Sequence, residues 1–252
     1  MKLSKYGLFT TVAASLFFAS QASAALVIDN FNNPAGPNIN SAEDITDENN
    51  VFDRLDGAGS TFAGAGILGG ERDLYVELLQ QGTSAANGVE INVDSGSLSY
   101  ATGDGDIASA SIQYDGLDGI AETVDTTGLG AVDFAAAGNA FILDVLSADA
   151  SFNFAINLWS NAGAVFEQVV LSSGPTQIVS PVSLAVSFAN FTLIDFTSIS
   201  ALEFIINTDG ASGPVSIDFS IDALTVPEPA SIALLGVGLL GIGYMRRRKT
   251  QV

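Results

Sequence analysis

The chain has 252 residues, 48% of them hydrophobic, with no cysteine, no histidine and a formal net charge of −20. Lacking those two residue types, it has no disulfide bridge, thiol nucleophile, Ser-His-Asp triad or ordinary zinc or haem ligand set. Between the two ends, two arginines stand against 27 of the 28 acids and leave a charge of about −25, which excludes nucleic acid and anionic lipid as partners of this part.

The first 24 residues have the three parts of a secretory signal peptide. Lys2 and Lys5 form a positive start, and residues 7–19 form an apolar core that is too short to span a membrane comfortably. Ala22 and Ala24 then place small side chains at the two positions that signal peptidase reads. We therefore expect the secretion machinery to export the chain and signal peptidase to cleave it after Ala24.

Residues 25–225 are predicted to form an acidic passenger domain built from β-strands. Apolar and polar residues alternate with period two, as expected when a strand buries one face and exposes the other. The clearest strands are predicted at 74–78, 89–93, 152–158 and 217–221, and further candidates are 26–31, 107–114, 139–146, 164–171, 184–188 and 200–207.

Turn sequences such as Asn87-Gly88, Asp94-Ser95-Gly96 and Asp209-Gly210 separate the predicted strands. About ten short strands with one polar face predict an all-β fold, an antiparallel β-sandwich of jelly-roll type. A closed barrel or a solenoid is the alternative, although no fixed-period repeat supports a solenoid. The opening segment, Leu26-Val27-Ile28-Asp29-Asn30-Phe31, resembles the first strand of many carbohydrate-binding-like jelly rolls.

Carboxylate chemistry is the one catalytic route that this composition leaves open, with two acids flanking a glycosidic bond. Among so many acids, some pair lies close by chance, and a sugar-cleaving groove usually also carries several aromatic platforms. The passenger has one tryptophan, Trp159, and three tyrosines, Tyr75, Tyr100 and Tyr114. This thin supply favours a protein that is not an enzyme.

Two acidic, glycine-rich turns are candidates for calcium binding. Asp104 and Asp106 belong to the first turn, and Asp115 and Asp118 belong to the second. Calcium prefers hard oxygen ligands of this kind. Neither stretch completes an EF-hand loop or a glycine-rich nonapeptide repeat, and Asp-Gly is also an ordinary hairpin turn. The pattern therefore favours simple turn formation, and calcium binding is the alternative.

Trp159 stands at the end of an alternating strand, directly before a turn. In that place its ring either stacks on a sugar ligand or closes the end of the apolar core. The sequence favours the core role, and stacking on a sugar is the alternative.

Arg54 and Arg72 are the only cations of the passenger, and each is flanked by acids. For Arg72 the flanking acids are Glu71 and Asp73. The pattern favours structural ion pairs over recognition of a substrate.

Residues 226–252 have the pattern of a membrane segment. The uncharged residues 230–245 form a helix of roughly 24 Å, slightly shorter than a usual membrane span. A stop-transfer block that stays cytoplasmic follows, consisting of Arg246, Arg247, Arg248 and Lys249. Pro227 and Pro229 end the preceding strand and keep the helix from starting earlier.

Taken together, Val226-Pro227-Glu228-Pro229, the glycine-rich apolar helix and the basic block resemble the PEP-CTERM sorting signal. The resemblance implies that an exosortase-type membrane processing enzyme recognises Pro227, Glu228 and Pro229. It also implies that the helix is a transient anchor and that the mature domain reaches the cell surface or the extracellular matrix. Proteins of this type are associated with Gram-negative bacteria that make exopolysaccharide.

The sequence therefore predicts an exported, non-catalytic surface or matrix protein that is associated with exopolysaccharide. A calcium-dependent carbohydrate-binding module and a carboxylate-dependent glycan hydrolase or lyase are the two alternatives. The sorting signal does not decide among them, because it is an address and carries no information about the activity of the passenger.

Overall fold

β-strands dominate the part of the chain that the computed structural model describes, which comprises residues 25–32, 40–45, 57–82, 88–172, 177–207 and 217–228. The strands are β1 (Leu26–Asp29), β2 (Asn40–Asp44), β3 (Ala58–Ala63), β4 (Glu71–Gln80), β5 (Val89–Asp94), β6 (Ser97–Thr102), β7 (Ile107–Tyr114), β8 (Ala140–Ala148), β9 (Asn153–Ser160), β10 (Val165–Ser172), β11 (Val182–Ser187), β12 (Ile199–Ile206) and β13 (Asp218–Val226). The helical elements are one turn of α-helix, α1 (Phe134–Ala137), and 3-10 turns at Leu68–Gly70 and Phe188–Asn190.

The strands form two sheets in which all pairings are antiparallel. The six-stranded sheet has the order β10-β9-β12-β7-β4-β3. The seven-stranded sheet has the order β11-β8-β13-β6-β5-β2, and β1 also pairs with β13. The prediction of an all-β protein with two antiparallel sheets is confirmed.

Apolar side chains from both sheets form one continuous core. Leu74 and Ile156 belong to the six-stranded sheet, whereas Leu143 and Ile221 belong to the seven-stranded sheet, and all four are at most 2% exposed. Burying each such side chain contributes about 1.5–3 kcal/mol. An aromatic group fills one end of the core, where the ring of Phe141 lies 5.0–6.4 Å from five other rings, those of Phe134, Phe188, Phe191, Phe196 and Phe204.

The predicted turn at Asp94-Ser95-Gly96 closes the hairpin of β5 and β6. Asp94 pairs directly with Ser97, so that the turn contains two residues. Both have a positive φ, 53° at Ser95 and 87° at Gly96. Such turns match the right-handed twist of the strands that they join, and glycine adopts this conformation without strain.

All ten predicted strands are present, whereas β2, β3 and β6 were not predicted. The expectation of one exposed face is wrong for β4, β7 and β12, since nearly every residue of these strands is buried. A loop over residues 115–130 contributes to this burial. Its Ala121 carbonyl accepts a hydrogen bond of 2.7 Å from the side chain of Gln113 in β7, on the face away from the core.

The predicted signal peptide, the apolar run 230–245 and the basic block lie outside the described residues. Among the residues that the structure does describe, no helix has the length and apolar character needed to cross a membrane.

Candidate functional site

One row of polar side chains crosses the outer face of the six-stranded sheet, which is the face opposite the apolar core. The strand register places one residue of each strand in this row, in the order Gln168, Asn157, Glu203, Gln113, Asp73 and Thr61. We call these six residues the polar row. Because side chains alternate between faces, the neighbouring residues of each strand point to the core and leave the row uninterrupted.

The polar row contains more hydrogen-bond acceptors than donors. The Asn157 amide donates to Glu203 at 2.9 Å, and the Gln113 amide donates to Ser111 at 3.3 Å. The oxygens of Asn157, Gln113 and Asp73 are buried and receive no hydrogen bond from the part of the chain that is described. A buried oxygen without a donor costs free energy, so these groups suit a ligand that supplies hydroxyl donors or positive charge.

An aromatic pair lies beside the polar row at the edge of the sheet. Trp159 and Phe166 pair directly across β9 and β10, with ring centroids 5.0 Å apart and planes inclined by 39°. Trp159 is half-buried and does not belong to the apolar core, and Phe166 is 49% exposed. Closing the core, the role that the sequence favours for Trp159, does not fit this position, and stacking on a ligand remains a proposal.

Four carboxylates meet on the same outer face toward the other side of the sheet, where β4 begins and β7 ends. Oxygens of Glu71, Asp73 and Asp118 lie within 4.8 Å of one another. Asp115 follows the last residue of β7, and the register of β4 and β7 continues to place it opposite Glu71. We call these four residues the acidic cluster. Asp73 and Asp115 are fully buried, Glu71 is 6% exposed, and Asp118 is half-buried.

Backbone amides of the 115–130 loop satisfy part of the acidic cluster. The amide of Gly119 donates to Glu71 at 2.7 Å, and the amide of Asp125 donates to Asp115 at 2.6 Å. Burial and the charges of Glu71 and Asp115 raise the pKa of Asp73 to about 9. Burial also raises the pKa of Asp115 to about 6, although the Asp125 amide opposes this shift. The cluster therefore does not hold four negative charges by itself at neutral pH.

Glycine is required where the 115–130 loop returns to the sheet. A Cβ atom at Gly128 would lie 1.6 Å from the carbonyl oxygen of Asp115. Gly116 has a φ of 113° and packs against the same glycine. This close approach of two backbones holds the loop over the start of β4.

The two predicted calcium turns lie at opposite ends of β7. Asp115 and Asp118 belong to the acidic cluster, where Glu71 and Asp73 join them. Asp104 is exposed and Asp106 is buried, and both precede Ile107, the first residue of β7. Eight residues of strand separate the two turns, roughly 26 Å, so one ion does not bind both. An Asp106 oxygen accepts a hydrogen bond of 2.5 Å from the amide of Gly82, a structural contact.

Arg72 does not pair with the acids beside it in the sequence. Its side chain points into the core, whereas Glu71 and Asp73 point to the outer face, because neighbours on a strand face opposite ways. In the core it forms an ion pair of 2.8 Å with Asp29, and both side chains are fully buried. The prediction of a structural ion pair is confirmed, but the expected partners were wrong. Arg54 lies outside the described residues.

The described part of the sorting motif lies at the surface. β13 ends at Val226, Pro227 is half-buried, and Glu228 is exposed. Gly138 packs against the Pro227 backbone, since a Cβ atom there would lie 2.2 Å from the Pro227 oxygen. Pro229, the block Arg246, Arg247, Arg248 and Lys249, and the cleavage residues Ala22 and Ala24 lie outside the described residues.

Sequence reasoning missed the partners that complete both sites. Glu71 and Asp73 were interpreted only as neighbours of Arg72, and Asn157, Phe166 and Glu203 were not singled out. The alternation of β9 did place Asn157 opposite the core, which was a usable signal. The meeting of β4 with the 115–130 loop depends on strand order, and no local pattern encodes that order.

Comparison with known proteins identifies the tail. Residues 225–249 match the family model of the PEP-CTERM protein-sorting motif. This chain carries that sorting signal, which implies export, processing by exosortase, a membrane enzyme, and a membrane-associated surface location. No curated protein matches the chain.

Several solved structures share limited similarity with the chain. The family 11 carbohydrate-binding module of the cellulase Lic26A-Cel5E of Clostridium thermocellum is 13% identical over 82% of this chain and 96% of that one, with a TM-score of 0.41. An exo-beta-agarase is 12% identical over 82% of this chain and 25% of its own, with a TM-score of 0.41. A family 29 carbohydrate-binding module is 11% identical over 61% and 88%, with a TM-score of 0.31. Such scores carry no functional argument, so the following proposal rests on the residues of this chain.

Proposed function

We propose that residues 25–225 form a non-catalytic module that binds a neutral glycan at the cell surface or in the extracellular matrix. The observation that carries the proposal is the aromatic pair Trp159 and Phe166 beside the polar row. Sugar rings present apolar faces that stack on aromatic side chains, and their hydroxyl groups donate hydrogen bonds to amide and carboxylate oxygens. The outer face offers both kinds of contact side by side.

The open part of this surface lies at β9 and β10. Phe166, Gln168 and Val170 are exposed and share the outer face with Trp159 and Asn157. Toward β4, the 115–130 loop covers the sheet. A chain of sugar residues is therefore expected to lie along the β9–β10 edge, with the buried oxygens of Asn157 and Glu203 reached from that side.

The negative charge of the passenger domain favours neutral glycans over anionic ones as ligands. The passenger carries about −25, so an anionic polysaccharide is repelled and a neutral one is not. We accordingly assign a neutral exopolysaccharide as partner, and nucleic acid is excluded for the same reason.

Delivery to the surface follows from the two ends of the chain. We propose that the chain is cleaved after Ala24, anchored by residues 230–245, retained by the basic block and processed at Pro227-Glu228-Pro229.

The proposed fold is a sandwich of jelly-roll type. The chain passes between its two sheets eight times along the described strands, which supports this arrangement.

Affinity electrophoresis tests the proposed glycan binding. The full-length chain, purified in detergent, is run through gels that contain mixed-linkage β-glucan, xylan or galactomannan, with alginate as the anionic comparison. We expect a neutral polysaccharide to retard the protein and alginate to leave it unaffected. Trp159→Ala should weaken binding about ten-fold, the loss of roughly 1.4 kcal/mol of stacking.

Phe166→Ala is the second variant, and Val179→Ala, which truncates a side chain that is 80% exposed, is the matched control. Equal binding by the wild type and both aromatic variants would contradict the proposed surface. Shortened polysaccharide after incubation would instead favour the hydrolase or lyase alternative, in which carboxylates of the outer face act on the glycan.

A further inference from the structure

The acidic cluster contains negative charge that no cation among the described residues compensates. Glu71, Asp73, Asp115 and Asp118 form no ion pair within the described part of the chain. Arg72 stands between two of them in the sequence, but its guanidinium lies in the core against Asp29. Taking carboxylates out of water without a counter-charge is costly, so the cluster requires protons or a bound cation.

Asp73 is the member of the acidic cluster whose two oxygens both lack a hydrogen-bond donor in the part of the chain that is described. Its side chain is fully buried, and no N–H or O–H group of the described residues donates to either of its oxygens. One Asp73 oxygen lies within 4.8 Å of oxygens of Glu71 and Asp118, and the Asp73 carboxyl is close enough to Glu71 and Asp115 to share a proton with them. One oxygen of Asp115 is buried in the same way. Each of the other two acids, Glu71 and Asp118, is oriented by a backbone amide of the loop, at 2.7 Å and 2.9 Å respectively. Two acids are thus positioned and two have unused oxygens.

The spacing of the carboxylate oxygens permits a bound calcium ion. A cation between two ligands at about 2.4 Å from each spans up to about 4.8 Å, and calcium takes oxygens at 2.3–2.6 Å in irregular arrangements. The oxygens of Glu71, Asp73 and Asp118 lie within 4.8 Å of one another. Magnesium demands a near-ideal octahedron at about 2.0–2.1 Å and usually keeps several waters, so a set of carboxylates from a strand and a loop suits calcium better.

We propose that Glu71, Asp73 and Asp118, with Asp115 beside them, bind one calcium ion that fastens the 115–130 loop to the start of β4. Glu71 and Asp73 come from the sheet, and Asp115 and Asp118 come from the loop, so the ion joins the two. This role is independent of glycan binding at Trp159. It deepens the account of the outer face, because the same loop covers the β4 end of the polar row.

Thermal unfolding with defined metals tests the site. The full-length chain in detergent is stripped with a chelator, dialysed, and then heated with CaCl2, with MgCl2 or with neither. Calcium at about one hundred times its dissociation constant should raise the Tm by roughly 5–10 °C for a domain of this size. Isothermal titration should give one calcium per chain.

Substitutions in the acidic cluster distinguish a calcium site from a set of protonated carboxyl groups. Asp73→Asn and Asp118→Asn each remove one charged ligand at nearly constant volume and should abolish most of the calcium shift. Asp118 is half-buried in the loop, so its variant remains informative if Asp73→Asn does not fold. Asp104→Asn, at the other end of β7, is the matched control and should keep the full shift.

Three results would overturn the proposal. The first is no calcium shift at about 10 mM, which is roughly ten times the dissociation constant of the weakest extracellular sites, together with an Asp73→Asn variant as stable as the stripped wild type. That result would mean that Asp73 is a buried carboxylic acid. The second is a shift that survives both cluster variants and disappears in Asp104→Asn. The third is a larger shift with magnesium than with calcium. The Trp159→Ala variant should lose glycan binding and keep the calcium shift. The two measurements therefore test the two proposals separately.

Discussion

Asp29 in β1 and Arg72 in β4 form a fully buried ion pair of 2.8 Å that joins the two sheets. The pair does not stand alone. The Arg72 guanidinium also donates to Asn40 at 2.8 Å, and Asp29 accepts hydrogen bonds from the Tyr114 hydroxyl at 3.1 Å and the Phe31 amide at 2.7 Å. Polar contacts therefore fix the relative position of the sheets, which apolar packing alone would leave less specific.

Breaking this ion pair from either side should be strongly destabilising. Arg72→Met and Asp29→Asn are each expected to lower the free energy of unfolding by about 3–5 kcal/mol, because each leaves a partner buried without its counter-charge. The double variant should lose much less than the sum. Denaturant unfolding of the four proteins gives the coupling energy.

Tyr114→Phe is the control for that cycle, since it removes one hydrogen bond to Asp29 and leaves the ion pair intact. Its expected cost is about 1 kcal/mol. Additive losses in the double variant would show that the two charges are solvated independently and would contradict the bridge between sheets.

Glu167 in β10 should make stability depend on acid pH. It accepts the amides of Thr192 and Leu193 at 2.8 and 2.7 Å. Partial burial acts to raise the pKa of Glu167, but these donors outweigh it and lower the pKa below its ordinary value of 4.5. Its stabilising contribution is therefore present above about pH 4.5 and is lost as the pH falls through the lower pKa of the folded state.

Glu167→Gln should accordingly cost about 1 kcal/mol at pH 7, a value discounted for solvent exposure, and less at about pH 3, where protonation of the carboxylate removes part of the difference. Urea unfolding at both values measures the difference. Glu90→Gln, on an exposed position of β5, corrects for the change in net charge. A loss that is equal at the two pH values would rule out the carboxylate as its source.

The sorting motif should determine the mass of the mature protein. In the native host, we expect the wild type to lose residues 1–24 and the C-terminal tail. Replacing Pro227, Glu228 and Pro229 by alanine should leave the tail attached and the protein in the membrane fraction, because the processing enzyme no longer recognises it. Intact mass spectrometry of the membrane and medium fractions reads both outcomes.

Ser231→Ala, two residues beyond the motif, is the control and should be processed normally. Identical masses for the wild type and the triple variant would mean that Pro-Glu-Pro is not the recognised element.

Period-two alternation was sufficient to predict most strands, since it reports directly which side chains face the core. It failed for β2 and β3, which are the edge strands of their sheets and have few apolar residues. Edge strands need less apolar surface, and exposed polar residues protect them from pairing with other chains. β6 was missed because serine, alanine and threonine dilute the signal of Leu98 and Tyr100.

The candidate site was only half predictable, because it depends on which strands become neighbours. Asp115 and Asp118 were visible as an acidic turn, but Glu71 and Asp73 looked like partners of Arg72. The alternation rule places Arg72 on the apolar face of β4 with Leu74 and Val76, and the acids on the other face, but it does not say which residue pairs with a buried arginine. The distant Asp29 supplies that information only after the fold is known.

The position of β13 has a consequence for export. This strand is the last of the described strands, yet it lies in the interior of its sheet, between β8 and β6, and also pairs with β1. A chain that crosses the membrane from its N-terminus first therefore has a gap in that sheet until residue 226 emerges, two positions before Glu228. The sheet is therefore completed at nearly the same time as the processing signal emerges. A product truncated before Asp218 would lack β13 and would expose open strand edges to the quality-control proteases of its compartment.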